Sequence, residues 1–213
     1  IPVGIGEDGQ WYFNDLSVAS DAKSDGLLVS NEHSTHAIPH ADPTQERAFD
    51  VVFPVLHGRY GEDGTVQGLL ELANIPYVGC GVLSSALCMD KDIAKRLVEA
   101  IEIPIVDYYT LSPSVLDDPS VVKEFIAEDF HYPIFIKPAN CGSSDGVSKV
   151  NNEEELIPAL ELAFSLDKKV ILEPALEVRD IEVAVLQSAD SDEPLVSRVI
   201  GEIVNHKTDF YSK

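Results

Sequence analysis

The segment over residues 133–150 constrains the fold more than any other part of the chain, because its pattern predicts a strand, a Gly/Ser loop and a second strand. It has the sequence PIFIKPANCGSSDGVSKV. Such a loop can direct several backbone N–H groups at an anion, and Lys137 on the first strand adds a positive charge. A Walker-type loop leads into a helix after Gly-Lys-Ser/Thr, whereas Val147 opens another short strand here. The segment is therefore predicted to be a hairpin that covers nucleotide phosphates.

The composition of this loop leaves an alternative open. Two glycines and three serines within residues 142–148 favour an anion-binding nest of backbone N–H groups. Asp145, however, places a negative charge inside the loop, and a plain flexible turn is the other interpretation. Cys141 is interpreted as a small filler, since a reactive thiol needs cationic surroundings.

The overall composition is that of a globular protein that binds neither nucleic acid nor membranes. The chain has 213 residues, 45% of them hydrophobic, which is enough to bury a sizeable core. Its formal net charge of -22 would repel a nucleic-acid backbone. Its longest apolar runs fall far short of the roughly 20 residues that cross a bilayer. Three irregularly spaced cysteines, Cys80, Cys88 and Cys141, indicate a reducing compartment, and we expect the cytoplasm.

Strands and helices alternate along the chain, which predicts an α/β fold that changes toward α+β in its second half. An Asp-Gly pair before Trp11 predicts a hairpin over residues 1–13, and residues 17–47 have no sustained periodicity and are expected to form a surface excursion. The other predicted elements are strands at 51–55, 76–79, 105–110, 133–137, 147–150 and 169–173, helices at 65–74, 121–130 and about 153–165, a helix capped by Asp90, and a β ribbon from Asp180 to about Val204.

Two lysines are candidate phosphate ligands in this acidic chain. Lys137 ends an apolar strand just before the glycine loop, and a solvated edge lysine is the alternative interpretation. Lys91 follows the cap residue Asp90 in the first turn of a helix, where the helix dipole disfavours a cation. This unfavourable position indicates that Lys91 binds a ligand.

The segment from His57 to Gly64 is a second candidate site, because α/β sheets bind ligands where a strand feeds a turn and a helix. His57 is interpreted either as a ligand-binding residue or as a neutral structural histidine. Glu62 and Asp63 are interpreted either as site residues or as turn and cap residues, and for Asp63 the cap of the helix at 65–74 is favoured.

Glu173 and the residues after it end an apolar strand at a chain crossing. Such a hinge offers backbone groups that can pair with an adenine edge, and a glutamate that can accept a hydrogen bond from the exocyclic amine. An ordinary strand-ending turn is the alternative, and the spacing does not decide between them.

Three segments carry a family resemblance that spans nearly the whole chain. They are FPVLHGRYGEDGTVQG at 53–68, SSALCMDK at 84–91 and IKPANCGSSDGVSKV at 136–150. Together they resemble the D-alanine–D-alanine ligases of the ATP-grasp superfamily, for which the pattern His-Gly-x-x-Gly-Glu-Asp-Gly-x-x-Gln-Gly is specific. The resemblance implies a partial N-terminal parallel-sheet domain for substrate at 1–88, a central α+β ATP-grasp domain at 89–176 and the start of a C-terminal β-rich catalytic domain at 177–213.

The resemblance also implies roles for individual residues. In the family pattern, Lys91 and Lys137 contact ATP phosphates, and the loop from Gly142 to Gly146, with Ser143 and Ser144, closes over them. Ser143 and His57 stand at catalytic positions that orient the first D-alanine, and Glu62 also belongs to the substrate site. Glu173 binds the adenine amine, Leu176 contributes its backbone N–H, and Asp180 stands where the family has a ribose-binding Glu.

In the implied reaction, ATP phosphorylates the carboxylate of one D-alanine, and the amine of a second D-alanine attacks the acylphosphate, giving the dipeptide used in peptidoglycan synthesis. ATP, Mg²⁺ or Mn²⁺, D-alanine and a second copy of the chain in a homodimer are the expected ligands and partners. Charge on the transferring phosphoryl oxygens is held by lysines, backbone N–H groups and the metal.

Departures from the family pattern leave alternatives. Asp145 replaces an aliphatic loop residue, and Pro174 replaces a polar one. The segments that supply the family's metal ligands have no counterpart, so we expect those ligands outside these 213 residues and expect this chain alone to be inactive. The alternatives are a D-Ala-D-Lac or D-Ala-D-Ser ligase, and a noncatalytic nucleotide-binding fragment.

Overall fold

A computed structural model describes residues 3–5, 11–13, 50–188 and 190–204 of the chain. The chain divides into two compact units. The first unit comprises residues 1–56 and 64–84, and the second unit comprises residues 57–63 and 85–213. Within the described ranges, no helix has the length and apolar character needed to cross a membrane.

The first unit pairs two short strands and packs one helix. Strands β1 (Val3–Ile5) and β2 (Trp11–Phe13) are antiparallel, which confirms the pairing of the predicted first hairpin, while its turn lies outside the described residues. Helix α1 (Thr65–Leu72) turns its apolar face inward as its spacing predicts. The buried residues of this small core are Trp11, Val66, Leu70, Ala73 and Ile75.

Two predictions for the first unit are wrong. Residues 51–55 and 76–79 form no strands, only a single parallel bridge between Val52 and Tyr77, and Phe53 is exposed rather than buried. A continuous apolar run does not reveal which of its faces is covered. Helix α1 is capped by Gly64, whose φ is 91°, without a side-chain hydrogen bond. Asp63 is therefore not the cap, and its carboxylate accepts from the Tyr60 N–H at 2.9 Å.

The second unit is built on a four-stranded antiparallel sheet. Its strands, β3 (Tyr109–Leu111), β4 (Ile134–Pro138), β5 (Ser148–Val150) and β6 (Val170–Pro174), lie in the order β3-β6-β4-β5. The structure confirms the predicted strands at 133–137, 147–150 and 169–173 within one residue. The strand predicted at 105–110 begins only at Tyr109.

Four further helices follow α1 along the described chain. They are α2 (Val82–Met89), α3 (Lys91–Ala100), α4 (Ser120–Glu128) and α5 (Leu156–Leu166). The sequence patterns do not predict α2. They do predict Asp90 as the cap of α3, and the Asp90 carboxylate accepts from the backbone N–H groups of Asp92 and Ile93 at 3.1 Å each.

The two faces of the sheet differ in polarity because side chains alternate along each strand. In β4, Ile134 and Ile136 are buried in the apolar core, while Phe135 and Lys137 point to the opposite face. The core contains Leu111, Val122, Ile126, Phe130, Ile134, Ile136, Val150, Leu156, Ala159, Leu160, Ala163, Val170 and Leu172. Helices α4 and α5 thus cover the apolar face, and the face that carries Lys137 is left for polar groups.

The start of α5 shows how a proline fits a predicted helix. A 3-10 turn (Glu153–Glu155) precedes the helix, and Asn152 caps that turn by accepting from the Glu154 and Glu155 N–H groups. The Glu155 carboxylate accepts from the Asn151 backbone N–H, one residue earlier than a standard capping box. Pro158 lies in the first turn of α5, where a missing N–H costs no hydrogen bond.

The last described strands form two small sheets instead of one continuous ribbon. Strand β7 (Asp180–Glu182) pairs with β10 (Gly201–Ile203), and β8 (Val185–Leu186) pairs with β9 (Leu195–Val196). We call these four strands the C-terminal ribbons. Their apolar side chains are largely exposed, among them Ile181, Val185, Leu186, Leu195 and Val196.

Candidate functional site

The glycine loop between β4 and β5 has an unusual backbone. Ser143, Ser144 and Gly146 have φ values of 52°, 59° and 71°, all in the left-handed region. Two turns brace the loop, since the Asp145 N–H donates to the Gly142 carbonyl at 3.0 Å and the Val147 N–H donates to the Ser144 carbonyl at 3.2 Å. Left-handed conformations cost L-residues roughly 1–2 kcal/mol each, and such strain gathers at ligand clamps.

Gly146 is required at its position by close packing as well as by its backbone angle. A Cβ atom there would lie 2.5 Å from Leu166 Cδ1 and 2.8 Å from Pro138 Cγ. The loop is thereby pressed onto the end of α5 and the end of β4. This packing fixes the shape of the loop that the sequence predicts to cover phosphates.

Lys91 lies against the strand that enters the loop. Its ammonium donates to the Cys141 carbonyl at 2.7 Å and approaches the Ala139 carbonyl at 3.4 Å. Its backbone N–H also donates to the Ala139 carbonyl, at 3.0 Å. Burial lowers the pKa of Lys91, and the nearby Lys137 ammonium acts in the same direction. Two neighbouring ammonium groups beside a strained loop are a place where an anionic ligand would relieve repulsion.

Lys137 and Lys95 share one buried carboxylate, that of Glu173. The Lys137 ammonium lies 2.5 Å from Glu173 Oε2, and the Lys95 ammonium lies 2.7 Å from Glu173 Oε1. Burial alone would raise the pKa of Glu173, but the two ammonium groups outweigh it and hold the pKa below its usual range. The register explains the contact, because Glu173 lies opposite Phe135, two residues from Lys137 on the same face.

The segment over 57–63 belongs to the second unit and approaches the glycine loop. A Cβ atom on Gly142 would lie 2.9 Å from Gly58 Cα, so the two backbones are in close contact. The Glu62 carboxylate accepts a hydrogen bond from the Gly58 N–H, which closes the segment on itself. Arg59 donates to the Leu166 carbonyl at 2.8 Å, at the C-terminal end of α5 where the helix dipole favours a cation.

The structure therefore brings three motifs that are distant in sequence to one end of the sheet. They are the segment 57–63, the start of α3 with Lys91, and the strand-loop pair with Lys137 and residues 142–146. Burial also raises the pKa of the Cys141 thiol, in agreement with its interpretation as a filler and not a nucleophile.

Other predicted site residues have fewer described contacts with this group. His57 is exposed at the start of its segment. Leu176 is exposed beyond the end of β6, and Asp180 lies in the C-terminal ribbons opposite Ile203. Their roles as catalytic, adenine-contacting and ribose-contacting residues stay predictions.

The described residues do not form a metal site of their own. Within residues 50–188, 190–204 and the two short N-terminal strands, no three His, Cys, Asp or Glu side chains are grouped to hold a metal ion. The Mg²⁺ or Mn²⁺ that the resemblance implies therefore has no ligand set here, and we assign no chemical step to it.

Two features of the site were missed by the sequence analysis. The first feature is Lys95, which lies one helical turn after Lys91. This i,i+4 spacing is the only sequence signal that places both lysines on one face of α3. Asp92 is buried and binds Arg96, Thr110 and Lys169, with distances of 2.8, 2.9 and 3.1 Å. These contacts of Asp92 hold α3 to β3 and to the residue that precedes β6, and thus help to hold Lys91 and Lys95 in place.

Comparison with known proteins gives consistent matches over the chain. Residues 1–80 match the family described as D-ala D-ala ligase N-terminus, and residues 97–212 match the family described as D-ala D-ala ligase C-terminus. The D-alanine–D-alanine ligase of Caldicellulosiruptor bescii is 43% identical over 100% of this chain and 59% of its own length. That of Proteus mirabilis is 44% identical over 95% of this chain and 57% of its own length.

Solved structures give the same result. The D-alanine-D-alanine ligase of Coxiella burnetii has a TM-score of 0.79 and 36% identity, over 95% of this chain and 60% of that one. The VanG D-Ala:D-Ser ligase of Enterococcus faecalis has a TM-score of 0.78 and 36% identity, over 100% of this chain and 62% of that one. The chain thus spans about three fifths of the length of the proteins it resembles.

Proposed function

The chain belongs to the D-alanine–D-alanine ligase family and has the ATP-grasp fold of that family, and on this basis we propose that the full-length protein joins two D-alanines with ATP. Transfer of the γ-phosphoryl group to the carboxylate of one D-alanine gives ADP and an acylphosphate. The amine of the second D-alanine attacks the acyl carbon, phosphate leaves, and a proton is lost from the new amide nitrogen.

In this proposal, the residues of this chain bind and orient the nucleotide phosphates. Lys91 and Lys137 supply positive charge, and the loop over 142–146 supplies backbone N–H groups above the phosphates. Such groups stabilise charge on a transferring phosphoryl group without taking part in bond formation. Ser143 and His57 orient the first D-alanine beside the loop, and Glu62 fixes the segment that carries His57.

The observation that carries the proposal is the close backbone contact between Gly58 and Gly142. It lies beside the hydrogen bond from the Lys91 ammonium to the Cys141 carbonyl. The first contact joins the segment proposed to hold the amino acid to the loop proposed to hold the phosphates. Phosphoryl transfer requires that the two substrates meet in line, and this junction is a place where they can.

The proposal is tested by titrating the full-length protein with ATP and by measuring D-alanyl-D-alanine and phosphate release. The Lys137→Ala variant should bind ATP at least about tenfold more weakly, since a hydrogen bond to a charged group is worth about 1.5–3 kcal/mol. Lys168→Ala removes the same charge from an exposed position between α5 and β6 and is the control. Equal ATP affinity in the two variants would overturn the phosphate site.

A second acceptor specificity is supported by the structural match to a D-Ala:D-Ser ligase, whose identity to this chain equals that of the Coxiella burnetii ligase. A D-Ala-D-Ser or D-Ala-D-Lac ligase would use the same phosphate site and differ in the second substrate. Competition among D-alanine, D-serine and D-lactate, scored by product mass, assigns the acceptor. The cytoplasmic location and the homodimer also stay proposals.

A further inference from the structure

We propose that Lys95 is a positioning residue that keeps Glu173 compensated, so that Lys137 can leave this carboxylate and bind a nucleotide phosphate. The inference rests on the proposed function. It starts from one geometric fact, that both oxygens of a single buried carboxylate are already engaged by two ammonium groups. If Lys137 serves the phosphates, its contact with Glu173 must be exchanged for a contact with the ligand.

The two lysines that contact Glu173 are held differently, and Lys95 has several partners. The Lys95 ammonium contacts Glu173 at 2.7 Å, donates to the Val106 carbonyl at 3.1 Å and lies 4.9 Å from the centroid of the Tyr108 ring. A carboxylate, a carbonyl and an aromatic face thus surround it, and each favours its charge. These contacts fix Lys95 between α3 and the segment that leads into β3.

Lys137 is the more accessible of the two lysines. Its side chain is 26% exposed, against 18% for Lys95, and it lies on the strand that runs directly into the glycine loop. It also lies 5.2 Å from the centroid of the Phe135 ring on its own strand. A ligand that approaches under the loop therefore meets Lys137 before Lys95.

The charge balance explains why the second lysine is needed. With both lysines present, the buried site holds one negative and two positive charges, and the Lys91 ammonium adds a third positive charge nearby. When a polyphosphate draws Lys137 away, Glu173 remains paired with Lys95 and is not left as an isolated buried charge. Without Lys95, the same movement would leave the carboxylate unpaired, which is strongly unfavourable.

Substitution of Lys95 is predicted to weaken the binding of ligands that carry phosphates more than the binding of ligands that lack them. In the full-length protein, the Lys95→Met variant should bind ATP about tenfold more weakly, because part of the binding free energy is then used to break the remaining Lys137–Glu173 pair. Adenosine has no phosphate and does not require Lys137 to move, so its affinity should fall much less than that of ATP. Lys95→Arg keeps the charge and should retain most of the ATP affinity.

A double-mutant cycle tests the role of the carboxylate. In a Glu173→Gln background, Lys137 has no anion to leave, so Lys95→Met should no longer weaken ATP binding relative to that background. Thermal unfolding of each variant checks that it is folded. If Lys95→Met does not fold, Lys95→Gln is measured in the same two backgrounds with the same expectation.

The outcomes separate this inference from the proposed function. A larger loss of affinity for ATP than for adenosine, abolished by Glu173→Gln, supports it. Equal losses for ATP and adenosine, or an unchanged ATP affinity, overturn it while leaving the proposed function intact as long as Lys137→Ala still weakens ATP binding. If Lys137→Ala has no effect on ATP binding, both the phosphate site and the exchange of partners are overturned.

Discussion

The four-stranded sheet and the C-terminal ribbons are both antiparallel β structure, but only the sheet has a core. Leu172 in β6 is 0% exposed, whereas Leu186 in β8 is 62% exposed, although each is a leucine in a paired strand. The sheet is covered by α4 and α5 on one face, and within the described residues no helix packs against the ribbons with comparable extent.

The difference shows that strand pairing by itself does not make a stable platform for a site. Isolated two-stranded sheets are marginal in water, and a sheet gains its stability from burying one face. The lysines, the glycine loop and Glu173 all lie on the sheet or on helices and loops tied to it. Asp180 is the predicted nucleotide contact that lies on the ribbons instead. We therefore expect the proposed phosphate end of the site to be more rigid than the proposed ribose end.

The largest expected effect comes from a matched pair of leucine substitutions. Leu172→Ala should lower the free energy of unfolding by about 2–5 kcal/mol, because it removes buried methyl groups and leaves a cavity. Leu186→Ala, the same change in an exposed strand, should stay within about 0.5 kcal/mol of the parent protein. Urea-induced unfolding of the two variants measures both values. Equal losses would mean that Leu186 is buried in the protein in solution, and would end the contrast between the regions.

A second matched pair concerns glycines. Gly146→Ala should destabilise the protein by roughly 1–3 kcal/mol, because its φ is 71° and the new Cβ would lie within 2.8 Å of Pro138 and closer still to Leu166. Gly201→Ala in β10 meets nothing nearer than 3.7 Å, at the Glu182 carbonyl, and should be close to neutral. Thermal unfolding compares the pair. A neutral Gly146→Ala would show that the loop does not depend on the left-handed conformation.

Local patterns in the sequence predicted the sheet strands and the glycine loop, because those features are written in adjacent residues. Alternation over 133–137, glycine and serine at 142–146 and the cap at Asp90 each depend on near neighbours. The resemblance to the ligase family predicted the fold and the family, and the comparisons confirmed both.

Features that depend on tertiary contacts could not be predicted in the same way. The pairing of Lys95 with Glu173 requires the register of β4 and β6 and the placement of α3, none of which a local pattern specifies. The buried strand predicted at 51–55 was wrong for a related reason, since burial depends on what covers a segment. The two charge networks on α3 are therefore findings of the structure alone.

The smallest expected effect is a difference in acid sensitivity between the two regions, and it depends on Glu173. Its folded-state pKa is held below the ordinary value of 4.5, so its ion pairs stabilise the protein fully above about pH 4.5, and this stabilisation is lost as the pH falls through the folded-state pKa. Glu173→Gln should lower the free energy of unfolding at pH 7. Its stability should then fall less steeply than that of the parent protein as the medium is acidified below about pH 4.5.

The matched control for this pH dependence is Glu202→Gln on strand β10. Glu202 is exposed and lies 3.9 Å from the Arg179 guanidinium, a distance at which a surface ion pair contributes little. The stability of the Glu202→Gln variant should change with pH in the same way as that of the parent protein. Urea midpoints measured from pH 7 to pH 3 give the comparison. A stability difference between Glu173→Gln and the parent protein that stays constant with pH would show that the two lysines do not stabilise the charged carboxylate. The same result would remove the charge compensation on which we base the role of Lys95.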